Sequence, residues 1–233
     1  METTLTEDTL LGGKVRLLQP RRGYRVAVDA VLLAAAVDAK AGDRVLDLGA
    51  GVGAVGLCIA ARVPECMVVG IELQPALHAI AERNAALNGP TLIGPGRVRP
   101  IQHDLAAPLP ADLGLFDHVA TNPPYLAAAV ADPSPDRSKA LATVESSAGL
   151  ARWLEAATGA VKPAGTLTII HRSDRLAEIV DHLDRLGFGD VTTKALPPAA
   201  RVIVRAHRAS TPTRRESPPL VLLRTEGGYT EAA

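Results

Sequence analysis

Two hydrophobic periods divide the chain. Between residues 44 and 186, short apolar runs alternate with longer stretches whose apolar positions recur every three or four residues. The short runs are RVLDLG (44–49), MVVGIE (67–72), RVRPIQ (97–102), LFDHVAT (115–121) and GTLTII (165–170); helices are expected at 53–63, 75–88, about 149–161 and about 174–186. Strands separated by helices are joined by parallel crossovers, and near-continuous apolar strands belong to a sheet covered on both faces. The pattern therefore predicts an α/β fold with a doubly wound, mostly parallel sheet.

The two ends break this rhythm. DVTTKAL (190–196) and RVIVRAH (201–207) are separated only by PPAA, too short for a crossover, so they predict an antiparallel hairpin, with PLVLLR (219–224) as a further strand. At the other end, residues 13–28 predict a β-ribbon with QPRRGY (19–24) at its turn, followed by an apolar helix DAVLLAAAV (29–37) with Asp29 as its N-cap. Residues 1–40 are thus expected to form a ribbon and helix packed on a catalytic domain spanning 41–233. The Pro-, Ser- and Ala-rich segment 127–148 has no clear period, and its position predicts a lid.

With 47% apolar residues, the chain can bury a substantial core. It has no run of eighteen apolar residues, and METTLTEDTL lacks the basic and apolar regions of a signal peptide, so a soluble, cytoplasmic protein is expected. Cys58 and Cys66 are the only cysteines and should be reduced; six scattered histidines show no metal-ligand spacing, so no metal cofactor is expected. The 25 basic and 25 acidic residues balance, which excludes the broad polyanion affinity of a strongly basic protein. Their distribution is uneven: Lys14, Arg16, Arg21, Arg22 and Arg25 stand without an acid in 9–28, and Arg201, Arg205, Arg208, Arg214, Arg215 and Arg224 face only Glu216 in 201–224. These are either a solvated surface or two halves of one basic rim.

The first of two chemical motifs is VLDLGAGVGAVG (45–56), a strand end with Asp47 followed by Gly49, Gly51, Gly53 and Gly56 at the start of a helix. Glycines permit a sharp turn and close backbone approach to a ligand, and the helix adds a positive dipole end. Gly51, Gly53 and Gly56 also satisfy the dinucleotide pattern, and Glu72 follows at the distance of a ribose carboxylate, so an oxidoreductase is a rival reading. An acid at Asp47 would meet a pyrophosphate with like charge. It suits a ligand bearing a cationic amine, such as S-adenosylmethionine. Glu72 would accept both ribose hydroxyls and Asp104 the adenine amino group. His103, His118 and His171 stand beside strand ends without a paired carboxylate and are read as structural.

The second motif, ATNPPYLA (120–127), ends the fourth strand at the sheet edge where open α/β sheets bind ligands. Two prolines stop a strand and fix their own φ angles. That rigidity suits a grip on an amine: Asn122 Oδ1 and the Pro123 carbonyl each accept one N–H, Pro124 holds that carbonyl in place, and Tyr125 stacks on the acceptor. Asn122, Pro123, Pro124 and Tyr125 are the candidate catalytic residues.

DLGAGVG followed by NPPY resembles the class I S-adenosylmethionine-dependent methyltransferases that act on amines. The resemblance implies a Rossmann-like, seven-stranded sheet with an antiparallel last strand over residues 40–208. LQPRRGYRVAVDAVLLAAAV and PPLVLLRTEGGYT further resemble the bacterial tRNA(Val) adenine-N6 methyltransferase family. That resemblance implies donor binding by Asp47, Gly49, Ala50, Gly51, Glu72, Leu73, Asp104 and Asn122. It also implies acceptor binding by Tyr125 with Arg21, Arg22 and Arg201, and an RNA partner such as tRNA. Alternatives with the same grip are ribosomal-RNA guanine-N2 enzymes, which favour Phe at position 125, and protein-glutamine N5 enzymes, which carry a helical N-terminal domain that about forty residues cannot supply. DNA adenine enzymes usually add a recognition domain, for which there is no room. A non-catalytic donor- or RNA-binding partner subunit is the alternative of another class.

Overall fold

In a computed structural model, the structure describes residues 4–89, 94–125 and 148–222. A two-stranded ribbon opens the chain, with β1 (Leu5–Leu10) antiparallel to β2 (Val15–Pro20), and α1 (Val28–Ala36) follows. The ribbon turn is at residues 11–14, and QPRRGY lies at and beyond the end of β2 instead of at the turn. Two glycines with positive φ, Gly12 and Gly13, form the tighter turn there. Helix α1 is capped by Ala27 without a side-chain hydrogen bond. Asp29 is therefore not its N-cap, and its carboxylate is used elsewhere.

The central sheet follows: β3 (Arg44–Leu48), α2 (Ala54–Arg62), β4 (Met67–Glu72), α3 (Pro75–Asn88), β5 (Val98–Gln102), β6 (Phe116–Thr121), α4 (Leu150–Ala160), β7 (Val161–Arg172), α5 (Leu176–Arg185), β8 (Phe188–Leu196), β9 (Arg201–Arg208) and β10 (Arg214–Ser217). Eight strands lie in the order β10-β8-β9-β7-β6-β3-β4-β5. Strand β9 runs antiparallel to both neighbours, as the PPAA hairpin predicts. The eighth strand is β10, added parallel to β8 from the polar sequence RRES. From PLVLLR, the described residues form no strand, although the Leu220 and Leu222 N–H groups donate to the Ala195 and Pro197 carbonyls. Leu223 and Arg224, like the expected lid at 127–147, lie outside the described residues.

Strand alternation separates two cores. Val45, Val68, Val98, Ala120 and Ile170 face one layer with α1, α2 and α3. Leu46, Leu48, Ile71, Val119 and Ile169 face the other layer with α4 and α5. The ribbon joins the first layer through two asparagines of α3. Asn88 pairs with the N–H and C=O of Arg16, and Asn84 with those of Leu18, while Asn84 also donates to the Val52 carbonyl. Two side-chain amides thus stand in for a third strand along β2. Among the described residues, no helix is long and apolar enough to cross a membrane.

Candidate active site

The parallel register aligns four strand ends. Leu48 pairs with both Ile71 and Thr121, and Ile71 with Ile101. The chain fills the sheet from β3 outward to β5, then returns to place β6 on the other side of β3, so the loops after β3 and β6 diverge at a topological switch point. The Thr121 hydroxyl donates to the Leu48 carbonyl at 2.9 Å, tying the strand end before Asn122 to the one before Gly49. A cavity of about 550 Å³ opens there, walled by the glycine turn, the ends of β4 and β5, the NPPY segment and residues of the N-terminal segment.

The glycine turn is shaped by left-handed backbone. Gly49 and Gly51 have φ of +77° and +57°, and the Gly49 and Ala50 N–H groups both donate to the Ile71 carbonyl, at 2.9 and 2.8 Å. The absent side chains are filled by rings: a Cβ on Gly49 would lie 2.4 Å from the Trp153 indole, and one on Gly51 would lie 2.8 Å from the Tyr24 hydroxyl. Glu72, buried at the end of β4, accepts the Gly51 N–H on one oxygen and the Gln74 N–H on the other, both at 2.8 Å. Burial raises the Glu72 pKa, and these amides oppose the shift. Asp104 also lines the cavity, one carboxylate oxygen accepting the Ala106 N–H at 2.9 Å.

Asp47 is not on the cavity wall. Alternation puts it on the same sheet face as Val45, under the glycine turn and beside the start of α2, where it is 1% exposed and its Oδ2 has no hydrogen-bond partner. Burial first and the Glu72 charge second push its pKa from 3.8 to about 7, against the Gly56 backbone amide.

Asn122, Pro123, Pro124 and Tyr125 all line the cavity. Asn122 Oδ1 is buried without a hydrogen-bond partner, and both prolines are buried. The Tyr125 hydroxyl donates to Asp29 Oδ2 at 2.7 Å. Arg201 Nε reaches the same oxygen at 3.4 Å, and its guanidinium lies over the Tyr125 ring, 4.3 Å from the centroid.

Of the residues assigned from sequence, Gly49, Ala50, Gly51, Glu72, Leu73, Asp104, Asn122 to Tyr125 and Arg201 meet at this cavity. Arg21 and Arg22 do not line it; both are exposed, and neither has a side-chain partner among the described residues. The other basic stretch is largely engaged within the fold: Arg205 faces Asp38, Arg208 donates to the Thr158 carbonyl, Arg214 pairs with Asp184 and Arg215 with Asp190. Among the described residues, it does not form the continuous free rim that one reading of the sequence allowed. Tyr24, Trp153 and His103, whose Nε2 is buried and unpartnered, also line the cavity and were missed. The rarity of rings, one Trp and three Tyr in 233 residues, is the signal that could have marked the first two. Among the described residues, no group of three or more His, Cys, Asp or Glu is placed to hold a metal ion.

Residues 25–194 match the family described as the methyltransferase small domain. The chain is 34% identical over 203 residues to a release factor glutamine methyltransferase of Burkholderia pseudomallei, covering 84% of this chain and 67% of that protein. It is 31% identical over 147 residues to a tRNA1(Val) (adenine(37)-N6)-methyltransferase of Haemophilus influenzae, covering 63% of this chain but only 60% of that relative. A crystal structure of a predicted O-methyltransferase from Agrobacterium tumefaciens superposes with a TM-score of 0.67 at 26% identity, over 87% of this chain and 92% of that one. The chain belongs to the methyltransferase small domain family.

Proposed function

We propose that this chain is a cytoplasmic enzyme that transfers a methyl group from S-adenosylmethionine to an exocyclic amine, with adenine N6 in a structured RNA such as tRNA as the acceptor. One observation carries the reading: an amide oxygen, Asn122 Oδ1, is buried and unsatisfied on the wall of the cavity that the glycine turn lines. Buried acceptors without partners are rare because they cost about 1–3 kcal/mol each, so a ligand N–H is the natural complement.

The residues present fit the donor. The bare backbone at Gly49 to Gly51, the Glu72 carboxylate on the cavity wall, Leu73 beside it, and Asp104 with the unpartnered His103 Nε2 supply a cradle, a diol acceptor, an apolar wall and polar groups for a base. When bound, the donor supplies an electrophilic methyl carbon. Asn122 Oδ1 and the Pro123 carbonyl then each accept one N–H of the acceptor amine, drawing its lone pair out of conjugation with the ring. Pro124 fixes that carbonyl by its own restricted φ. Tyr125 sets the plane of the acceptor, and the new ammonium is acidic enough to lose its proton to water. No strong base is needed.

The test is transfer of labelled methyl groups to tRNA purified from a strain lacking this protein, with nucleosides identified by mass spectrometry. N6-methyladenosine is expected. Asn122→Ala should keep its affinity for S-adenosylhomocysteine and lose on the order of 10²–10³ in turnover, the scale of removing one group that binds only as charge develops. Unchanged turnover removes the proposed role. A glutamine side-chain amide is the second reading, favoured by the internal pairing of Arg205, Arg214 and Arg215 and by the extent of the match to the glutamine methyltransferase. Labelling of a release factor but not of tRNA would establish it.

A further inference from the structure

Tyr125 lines the cavity and is held by three side chains that lie outside the NPPY segment. Its hydroxyl is bonded to Asp29 from α1. Its ring lies under the Arg201 guanidinium from the start of β9. Its third neighbour is His171 near the end of β7, with ring centroids 5.2 Å apart and planes at 75°, an edge-to-face contact. Arg172 pairs with Arg201 and His171 with Val202, so the two clamping side chains leave neighbouring positions on adjacent strands toward opposite sheet faces, and Tyr125 meets one from each.

The cluster is internally balanced. Asp29 and Arg201 are mostly buried, with 14% and 26% of their side chains exposed, and they neutralise each other. Burial, reinforced by the Asp29 charge, raises the Tyr125 pKa, so the hydroxyl stays a donor throughout the physiological range. His171 is fully buried, against the backbone of Pro124 and Arg172. Arg175, Glu178 and Asp174 are charged groups that act on it, and burial with the Arg175 charge keeps it neutral. A neutral ring meets Tyr125 through its edge-to-face contact.

We infer that Asp29, His171 and Arg201 are positioning residues that hold the Tyr125 ring as a fixed platform for the acceptor, an inference that rests on the methyl-transfer reading above. The ring plane determines where an acceptor nitrogen meets Asn122 Oδ1, and a platform free to rotate about χ1 and χ2 would present that nitrogen in the right place only part of the time. The clamp joins α1 to the strand hairpin through Tyr125, so the acceptor side is assembled from segments distant in sequence.

Two isosteric changes, Tyr125→Phe and Asp29→Asn, test the clamp with little risk to folding. On the tRNA assay each should lower kcat by about tenfold, the scale of one lost charge-assisted hydrogen bond, with S-adenosylhomocysteine affinity unchanged by calorimetry. Because Tyr125→Phe removes the bond outright and Asp29→Asn removes its charge assistance, the double variant should be little worse than Tyr125→Phe alone. Multiplied losses, or donor affinity falling in step, would overturn the inference. A second arm needs no acceptor: 3-fluorotyrosine labelling gives fluorine resonances from Tyr24, Tyr125 and Tyr229, the second assigned by its loss in Tyr125→Phe. That resonance should shift in Asp29→Asn, in Arg201→Gln and in His171→Leu. If it does not move, the clamp is absent whatever the substrate. If it moves while the parent chain labels no tRNA, the acceptor proposed above is wrong and the clamp stands.

Discussion

Replacing Asp47 with asparagine should change how stability depends on pH more than its level at any one pH. In the folded chain, burial and the neighbouring Glu72 charge raise the Asp47 pKa from 3.8 to about 7. The unfolded chain ionises first as pH rises, so between about pH 4 and pH 7 the folded state retains a proton that the unfolded state has lost. Stability then falls with pH across that window, at about 1.4 kcal/mol per unit, to a total of about 4 kcal/mol above pH 7. Asparagine never ionises and escapes this loss. Its NH2 group would occupy the unpartnered Oδ2 position, adding a pH-independent cost of about 1–3 kcal/mol. Urea unfolding of both proteins from pH 4 to pH 8.5 should therefore show the variant gaining on the parent by several kcal/mol, most of it between pH 5 and 7. A constant difference, or one that shrinks as pH rises, would refute the burial argument.

His171 should act with the opposite sign. Burial lowers its pKa from 6.5 to about 4, so its contribution is complete above pH 6.5 and lost as pH falls toward 4, by about 3 kcal/mol; His171→Leu should remove that acid lability in the same titrations. Asn84→Ala strips partners from the Leu18 N–H and from the Leu18 and Val52 carbonyls, and should cost about 3 kcal/mol or more in chemical denaturation, whereas Asn84→Asp should fail to replace the two donated bonds. Charge reversal at Arg21 and Arg22 should weaken RNA binding and reduce the slope of affinity against salt by about one to two, read by fluorescence anisotropy of a labelled tRNA; an unchanged slope would make those arginines solvated surface.

The alternation of apolar runs and helical stretches carried the central fold because buried parallel strands leave a signal in every residue. It failed at the rim, where strands are half-exposed. The RRES strand has no apolar run and takes its place through main-chain pairing with β8, which composition does not reveal. The ribbon was displaced by several residues for a similar reason: LTEDTL is held by its partner strand and by the Asn84 and Asn88 amides acting on β2, bonds between residues 66 to 72 positions apart. At the site, Gly49, Glu72 and Asn122 were legible because each closes a strand whose register places it at one sheet edge. Asp47 shows the limit of motif reading. The motif fixes its presence at the strand end, but the two-residue alternation turns its carboxylate under the turn instead of into the cavity. Asp29 was legible as a residue type suited to a helix start, yet its carboxylate is spent on Tyr125 and Arg201, a pairing that exists only once β9 is in place.

The position of Asp47 has a consequence for turnover under the proposed reaction. Asp47, Glu72 and Asp104 lie at or behind the donor side of the cavity. Among the described residues, the two arginines that line it are paired, Arg25 with Asp8 and Arg201 with Asp29. The donor carries a sulfonium charge; its product, S-adenosylhomocysteine, does not. An acid in a poorly screened position behind the turn therefore favours donor over product only in its ionised form, and with a pKa of about 7 that form grows across the physiological range. The ratio of donor to product affinity should rise as pH goes from 6 to 8, by a few-fold if Asp47 and the sulfonium interact by about 1 kcal/mol. In Asp47→Asn the ratio should stay flat. Calorimetric titrations of both ligands at three pH values decide it, since a ratio that rises equally in parent and variant would assign the effect to some other group.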